Sequence, residues 1–158
     1  MKHYIATLII LFISSLLTVY FLSAKDEFNI YFCDEPCIRP NYSYNYLTCS
    51  NINVIIINNG ITVPVKIPEG FYTDLLSVPR WLWPFISPAR SEFMAPAILH
   101  DYLYGCHMGF TRSQIDTILL KSLTESGVSF ITAYQMYFAV RIFGGSHFES
   151  GQCVIEDD

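Results

Sequence analysis

The stretch "INVIIINNGITVPVKI", residues 52–67, joins two runs of β-branched residues at the dipeptide Asn59-Gly60. β-Branched side chains favour strands, and Asn-Gly is a strong hairpin signal because both residues tolerate a positive φ. The stretch therefore predicts a β-hairpin. Pro64 lacks the N–H that a central strand needs, so the second strand should lie at the edge of its sheet or carry a bulge.

Helices are predicted downstream of the hairpin. In "PAILHDYLYGC", residues 96–106, Pro96 suits the first turn of a helix and Gly105 suits its end. Apolar side chains recur there at the i, i+3, i+4, i+7 spacing of one helical face: Leu99, Tyr102, Leu103 and Cys106. His100 and Tyr104 share a different face of the same helix.

Two more helices should follow. The second begins at Thr111, whose hydroxyl can cap the helix while Gln114 caps in return, and it ends near Gly127. Its apolar positions are Ile115, Ile118, Leu119 and Leu123. The third, Val128–Phe143, is apolar almost all round, so it should be the central buried helix or else contact a membrane.

The N-terminal segment Tyr4–Ala24 carries no charge and is long enough to cross the hydrocarbon core of a bilayer. It predicts a retained signal anchor. Cleavage after Ala24 is the alternative, because Leu22-Ser23-Ala24 is similar to a small-residue cleavage site. Both interpretations export the remainder. The first predicts a single-pass inner-membrane protein with Lys2 in the cytoplasm and the C-terminal domain on the periplasmic side.

Five cysteines follow this segment: Cys33, Cys37, Cys49, Cys106 and Cys153. In an exported protein cysteines form disulfides by default, which leaves one of the five over. We expect one bridge within the segment Cys33–Cys49 and one between Cys106 and Cys153. The Asn, Tyr, Pro and Cys content of residues 25–50 predicts an irregular spacer held by its disulfide.

These segments predict an α+β protein with an N-terminal transmembrane helix, a β-hairpin and then a small bundle of three to four helices. The expected domains are a signal anchor or transmembrane helix (1–24), a cysteine-containing spacer (25–50), a globular domain (51–145) and an acidic tail (146–158). With 158 residues, 52% of them hydrophobic, the chain can build one core. A net charge of −5 without a basic run argues against nucleic acid as a partner.

Polar residues interrupt the apolar surroundings at a few places: Asp74, Arg80, the pair His100-Asp101, and Asp116. If the first two helices pack antiparallel, Asp116 comes near His100 and can hold its ring through Nδ1. That is the arrangement of base and orienting carboxylate found in hydrolytic catalysis. Structural alternatives stay open. Asp116 can pair with Arg112 on a solvated helix face, and Asp101 can pair with Arg80, which leaves His100 as a core histidine.

The loop at residues 68–88 contains four prolines, which exclude a long helix and indicate a loop with one short amphipathic turn. Asp74 can cap the turn that begins at Ser77, or it can pair with Arg80. In both cases Thr73, Ser77 and Arg80 would fix the loop.

The spacing H-D-x-x-Y on one helix, followed by an aspartate on the next, resembles the core of secreted calcium-dependent phospholipases. The resemblance implies that His100 is the base and that Asp101 binds calcium, and it implies that Tyr104 and Asp116 steady the histidine. Those enzymes carry a glycine-rich calcium loop before the helix, which this sequence lacks. Asp74 would have to supply the second carboxylate, whereas calcium takes roughly six to eight oxygen ligands.

Longer motifs resemble a second family. "GFYTDLLSVPRWLWP", "APAILHDYLY", "TRSQIDTILLKSL" and "MYFAVRIFGG" occur in this order between Pro68 and Gly145. Together they resemble a phage- and prophage-encoded family known as domain of unknown function 1353. The signatures T-D-L-x-S-x-P-R and H-D-x-L-Y are specific in combination. The resemblance implies a phage or prophage origin and an α-rich fold organised around the same polar residues, and it implies no particular reaction.

Two functions are consistent with these residues. The first is a membrane-anchored phage or prophage protein without catalytic activity, which binds an envelope lipid or an envelope or phage protein, for instance in superinfection exclusion or envelope modification. The second is a phospholipase-like envelope hydrolase with His100 as base, in which Asp101 and Asp74 hold a divalent metal such as calcium. The first needs fewer coincidences because the calcium loop is missing. Convergence of these side chains and Asp116 on a solvent-reachable pocket would favour the second.

Overall fold

Two antiparallel three-stranded sheets precede the helices in the part of the chain that the structure describes. The computed structural model describes Ser14 and residues 27–41, 45–75 and 91–149. The strands are β1 Phe28–Phe32, β2 Ile38–Asn41, β3 Asn45–Thr48, β4 Ile52–Asn58, β5 Ile61–Ile67 and β6 Tyr72–Thr73. The helices are α1 Ser91–Cys106, α2 Arg112–Glu125, α3 Phe130–Phe143 and α4 Gly145–Glu149. The predicted α+β class, with a hairpin and a helical bundle, is confirmed.

The predicted hairpin is formed by β4 and β5. Their register pairs Asn58 with Ile61 across the turn. Asn59 and Gly60 adopt φ values of +49° and +82°, as a two-residue turn with positive φ at both positions requires. The first sheet has the order β1-β4-β5, so the strand that contains Pro64 lies at an edge, as predicted.

Residues 25–50 were expected to form an irregular spacer, and this prediction is wrong. β1 pairs with β4, and its apolar side chains Phe28 and Ile30 are buried in the same core as the helices. Phe28 meets Phe110 edge-on, with the ring centroids 6.1 Å apart. β2 and β3 join β6 in a second sheet. The period-two apolar pattern of "FNIYF" outweighs the turn-rich composition around it.

The disulfide predicted within the spacer joins Cys37 to Cys49. These residues flank the β2–β3 pair, and the Cys49 N–H donates to the Cys37 carbonyl at 2.9 Å. Cys106 is also disulfide-bonded, and its predicted partner Cys153 lies outside the described residues. Cys33 is exposed and free.

Helix α1 begins earlier than predicted. It starts at Ser91, so Pro96 lies inside the helix and not in its first turn. The proline is tolerated there because the N–H that it lacks would have bonded only to the carbonyl of Glu92 in the first turn, while its ring is buried against the core. Helix α2 follows the prediction, with a reciprocal capping box between Thr111 and Gln114.

The third helix was expected to be the central buried helix or else to contact a membrane, and the first of these alternatives is wrong. Helix α3 has one buried face, made of Ala133, Met136, Tyr137, Ala139 and Val140. Its outer face leaves Phe130, Ile131 and Ile142 between 65% and 71% exposed. The helix therefore packs on one side of the bundle. Helix α2 takes the more buried position, because its apolar residues Ile115, Ile118, Leu119 and Leu123 have no exposed surface.

The predicted localisation as a single-pass inner-membrane protein needs correction. Among the described residues, no helix is both long and apolar enough to cross a membrane. The longest of them, α1, has 16 residues, whereas a span needs about 20. The predicted anchor Tyr4–Ala24 lies outside the described residues except for Ser14.

Candidate active site

The central contact of the site joins His100 on α1 to Asp116 on α2. The two helices pack against each other, and the Nε2 atom of His100 lies 3.2 Å from Oδ1 of Asp116. The predicted proximity of these residues is therefore confirmed, but the predicted ring atom is wrong. Asp116 contacts Nε2 and not Nδ1, because α2 passes on the Nε2 side of the ring.

Asp116 is fully buried, and both of its carboxylate oxygens accept hydrogen bonds. The Tyr104 hydroxyl donates to Oδ1 at 2.5 Å, and Nη1 of Arg141 donates to Oδ2 at 2.8 Å. Arg112 lies further off, with Nε 4.0 Å from Oδ2. The predicted ion pair between Asp116 and Arg112 is thus present at this distance, but it does not lie on a solvated helix face, since Asp116 has no exposed surface.

The surroundings of Asp116 keep its carboxylate ionised. Burial, the largest influence, raises its pKa, but the hydrogen bonds from His100, Tyr104 and Arg141 outweigh burial and leave the pKa below its ordinary value. Tyr104 stays protonated, because burial and its bond to Asp116 raise the pKa of the phenol far above its ordinary value. Tyr104 is thus a donor and Asp116 an acceptor at neutral pH.

The other ring nitrogen of His100 lies beside a second carboxylate. Nδ1 is 3.8 Å from Oδ1 of Asp101, which is longer than a direct hydrogen bond. Burial is the largest influence on His100 and lowers its pKa, yet Asp101 and Asp116 together outweigh it and hold the pKa above its ordinary value of 6.5. The imidazole is therefore a stronger base than a free histidine.

Thr73 connects the second sheet to the site. Its hydroxyl donates to Oδ2 of Asp101 at 2.5 Å and accepts from the Leu75 N–H at 3.0 Å. Leu75 has φ +66°, a left-handed conformation that a leucine rarely adopts. Strained backbone of this kind is concentrated at functional sites, where the surrounding structure enforces it.

The former spacer region positions Thr73. β3 pairs with β6 so that Tyr46 lies opposite Thr73. Thr48, which is fully buried at the end of β3, donates its hydroxyl to the Pro68 carbonyl at 2.7 Å and accepts from the Phe71 N–H at 2.9 Å. These two bonds hold the segment that leads into β6 against the end of β3. That end lies next to the disulfide-bonded Cys49.

A pocket of about 270 Å³ opens beside this cluster. Its lining contains Phe71, Tyr72, Thr73, Asp74, His100, Asp101, Tyr104, Gly105, Val140, Gly144 and His147. Five predicted site residues thus line one pocket, and Asp116 lies behind His100. Ser77 and Arg80, predicted to fix the loop, lie outside the described residues.

The residues at the site that were not predicted from the sequence include Arg141, Gly144 and His147. Arg141 carries the one charge of helix α3, and a charge retained in an apolar helix indicates a partner, so this signal was available. Gly144 caps the end of α3, and His147 enters the pocket lining because α4 packs back on Tyr104, whose ring centroid lies 5.6 Å from that of Phe148. No local pattern shows that packing.

The predicted calcium ligands Asp101 and Asp74 do not make a calcium site by themselves. Asp101 already accepts from Thr73 through Oδ2, and its Oδ1 faces His100. Across residues 27–41, 45–75 and 91–149, no group of three or more His, Cys, Asp or Glu side chains is placed to hold a metal ion. This donor set does not fit an ion that takes roughly six to eight oxygens. Calcium binding stays a prediction from the phospholipase resemblance.

The fold and site define a small α+β protein that carries a helix-borne histidine–aspartate pair at the edge of a pocket. The family of proteins of unknown function DUF1353 matches residues 53–140, more than half of the chain, and the protein belongs to this family. The match includes His100, Asp101 and Asp116 and ends one residue before Arg141. No curated protein and no solved structure matches the chain.

Proposed function

We propose that the protein is a hydrolase that cleaves a small ester with His100 as the general base. One observation carries this proposal: Nε2 of His100 contacts a buried, ionised Asp116 at 3.2 Å, while His100 and Asp101 both line a pocket. A histidine with one nitrogen held by a carboxylate and the other beside a cavity is the usual arrangement of a water-activating base.

The reaction follows from the two sides of the ring. In the neutral imidazole, Nε2 donates its proton to Asp116 and Nδ1 is the free acceptor. A water molecule bound between Nδ1 and Asp101 gives a proton to Nδ1 as its oxygen attacks the carbonyl carbon of the ester. The imidazolium then returns the proton to the leaving alkoxide, so one water and one ester yield one acid and one alcohol.

Two carboxylates stabilise the imidazolium that forms during this reaction. Asp116 and Asp101 hold the pKa of His100 above its ordinary value. The imidazolium is therefore stabilised, which favours the transfer of a proton from water to the ring. The same shift means that, at any given pH, a smaller fraction of His100 is neutral and active than of a free histidine.

The pocket limits the size of the substrate. A volume of about 270 Å³ lies just below the range of roughly 300–1,000 Å³ that is typical of ligand pockets. Its walls combine aromatic side chains such as Phe71 with the polar edge at Asp101. A short acyl ester fits this combination, and an acyl ester of an envelope lipid is the substrate that the phospholipase resemblance predicts.

The test compares His100→Gln with a matched variant on the same bundle. Ser122→Ala serves as the control, because Ser122 is a buried polar residue of α2 that bonds to the Leu119 carbonyl and does not line the pocket. With p-nitrophenyl esters of increasing acyl length and a short-chain phospholipid, we expect His100→Gln to lose at least about 100-fold in kcat/KM. The Ser122→Ala variant should keep its activity. Equal activity in a folded His100→Gln variant would contradict the proposal.

The same assay tests the metal prediction. Activity that is unchanged between a chelator and millimolar calcium would remove the metal from the proposal and leave the role of His100 intact. A requirement for calcium would add Asp101 and Asp74 to the list of residues to be tested, because these are the carboxylates at the pocket.

A second candidate is a phage or prophage protein that binds an envelope or phage component without catalysis. It is supported by the hydrogen bonds of Asp116, which link His100 and Tyr104 on α1 to Arg141 on α3. A cluster that only stabilises the helix packing would have the same bonds. Under this alternative no ester in the panel is hydrolysed, and His100→Gln mainly lowers the unfolding temperature.

A further inference from the structure

We infer that the C-terminal end of α3 positions the catalytic ring: Arg141 is a positioning residue for His100 that acts through Asp116, and Gly144 keeps Tyr104 in its place on the same carboxylate. This inference rests on the proposed function for its purpose, since positioning matters only if His100 reacts. Its geometry can be tested without any substrate.

Arg141 holds Oδ2 of Asp116, the carboxylate oxygen that does not contact His100. Nη1 of Arg141 lies 2.8 Å from Oδ2 of Asp116, while His100 and Tyr104 both contact Oδ1. With both oxygens held, the carboxylate cannot rotate about its Cβ–Cγ bond without breaking a charge-assisted hydrogen bond. The Asp116 oxygen therefore meets the Nε2–H of His100 in one orientation, which sets which nitrogen carries the proton.

The backbone that carries Arg141 is itself held. Nη2 of Arg112 donates to the carbonyls of Val140 and Arg141 at 2.8 and 2.7 Å. These carbonyls lie in the last turn of α3, where the Val140 carbonyl also accepts from the Gly144 N–H at 2.8 Å. Because Arg112 belongs to α2, as Asp116 does, the two arginines tie the end of α3 to α2 at two points.

Gly144 is required by the close approach of Tyr104. A Cβ atom at position 144 would lie 2.6 Å from the Val140 carbonyl oxygen and 3.0 Å from the Tyr104 hydroxyl. Contacts this short force a shift of the neighbouring atoms. A side chain there would displace the hydroxyl that donates to Asp116. At position 145 a Cβ would lie 3.2 Å from Nη1 of Arg112.

Several charged or titratable groups face His100 and must be counted in any test of its protonation. Asp101 and Tyr104 come from α1, Asp116 from α2, Asp74 from the segment after β6, and His147 from α4. Arg141 from α3 acts on the opposite oxygen of Asp116. Its positive charge offsets part of the field that Asp116 exerts on the imidazole. Removal of that charge alone should therefore raise the pKa of His100.

A structural role and a positioning role predict opposite shifts. If Arg141 only holds the bundle together, its loss separates His100 from its carboxylate partners and exposes the ring, and the raised pKa falls back towards 6.5. If Arg141 positions and balances Asp116, the pKa rises. Activity measured below that pKa should then fall about tenfold for every unit by which the pKa rises, because the neutral fraction falls by that factor.

The test is an NMR titration of the histidine resonances in the full chain, with His100→Gln used to assign the signal. Arg141→Gln is the test variant, Arg141→Lys restores the charge, and Arg39→Gln removes an exposed arginine from β2 as a matched control. We expect a higher His100 pKa in Arg141→Gln and values near the parent in the other two. An unchanged or lower pKa in Arg141→Gln overturns the inference.

A double-mutant cycle tests Gly144. Gly144→Ala and Tyr104→Phe should each lower kcat, and the double variant should lose no more than the worse single variant, because both changes remove the same hydrogen bond. Additive losses overturn this part. If no ester is hydrolysed but Arg141→Gln raises the His100 pKa, the positioning geometry stands and the proposed hydrolase fails. If hydrolysis requires His100 but Arg141→Gln does not raise the His100 pKa, the proposed hydrolase stands and the positioning inference fails.

Discussion

The Nε2 atom of His100 lies 3.2 Å from Oδ1 of Asp116, a carboxylate on the following helix that has no exposed surface. This contact links two helices that the sequence separates by a short turn. A buried carboxylate needs partners to stay ionised, and Asp116 finds them on α1 and α3. The contact therefore serves both the packing of the bundle and the proton position on the imidazole.

Asp116→Asn should be strongly destabilising. The substitution keeps the shape but removes the charge that balances His100 and Arg141, and loss of one member of a buried charged network costs about 3 kcal/mol. Chemical denaturation followed by circular dichroism measures this loss in the free energy of unfolding. The control is Asp34→Asn, at an exposed residue that bonds to Asn53, which should cost much less than Asp116→Asn because solvent screens the exposed charge. Equal costs for the two variants would contradict the role given to burial.

Stability should depend on pH through His100 and Asp116. The pKa of His100 is raised, so its contribution is fully present below 6.5 and is lost as the pH rises through the raised value. The pKa of Asp116 is lowered, so its contribution is present above 3.8 and is lost as the pH falls through the lowered value. The stabilising effect of this pair is therefore greatest between these two limits.

Thermal melts from pH 4 to pH 9 check this dependence. The difference in unfolding temperature between the parent protein and His100→Gln should shrink as the pH rises above 6.5. A difference that stays constant over this range would show that the protonated ring adds nothing to stability.

The capping box of α2 should stabilise this helix, which carries Asp116. Thr111 caps α2 through the Gln114 N–H, while the Gln114 side chain accepts from the Thr111 N–H at 2.9 Å. Thr111→Ala should lower the free energy of unfolding by about 1 kcal/mol, whereas Thr111→Ser should be nearly neutral. Urea denaturation of the two variants measures the difference. Equal effects of Ala and Ser would mean that the hydroxyl is not used.

The disulfide should matter for the site as well as for stability. Cys37 and Cys49 are 12 residues apart and flank the β2–β3 pair, whose strand β3 supports β6 and Thr73. Replacement of both cysteines by serine should cost about 3 kcal/mol of stability. We also expect a lower kcat/KM under conditions in which the variant is fully folded, because Thr73 orients Asp101. Full activity in the folded double variant would show that the disulfide does not affect the geometry of the site.

The sequence predicts the local parts of the fold and not the long-range ones. The hairpin at Asn59-Gly60 and the capping box at Thr111 depend on neighbouring residues, and both form as expected. The strand β1 was missed because its pattern is only five residues long and its partner β4 lies more than 20 residues away. The start of α1 was missed because Pro96 is common in the first turn of a helix. Its position inside the helix is explained only by the burial of its ring, which the sequence does not show.

The candidate site was predictable in its residues but not in its geometry. Helical spacing brings His100 and Tyr104 to one face, and a short connection returns Asp116 to them. Which ring nitrogen faces Asp116 depends on the rotamer of His100 and on how α2 crosses α1. The contribution of Arg141 depends on the packing of a third helix. Neither is encoded in a local pattern.

The most direct test of the central claim compares two pKa values of the parent protein. The pKa of His100 from an NMR titration should be above 6.5, and kcat/KM for the best ester of the panel should rise with pH through the same value. Agreement of the two pKa values is the predicted result. A pH–activity profile that is flat across the His100 titration, or that follows another group, would contradict the assignment of His100 as the base.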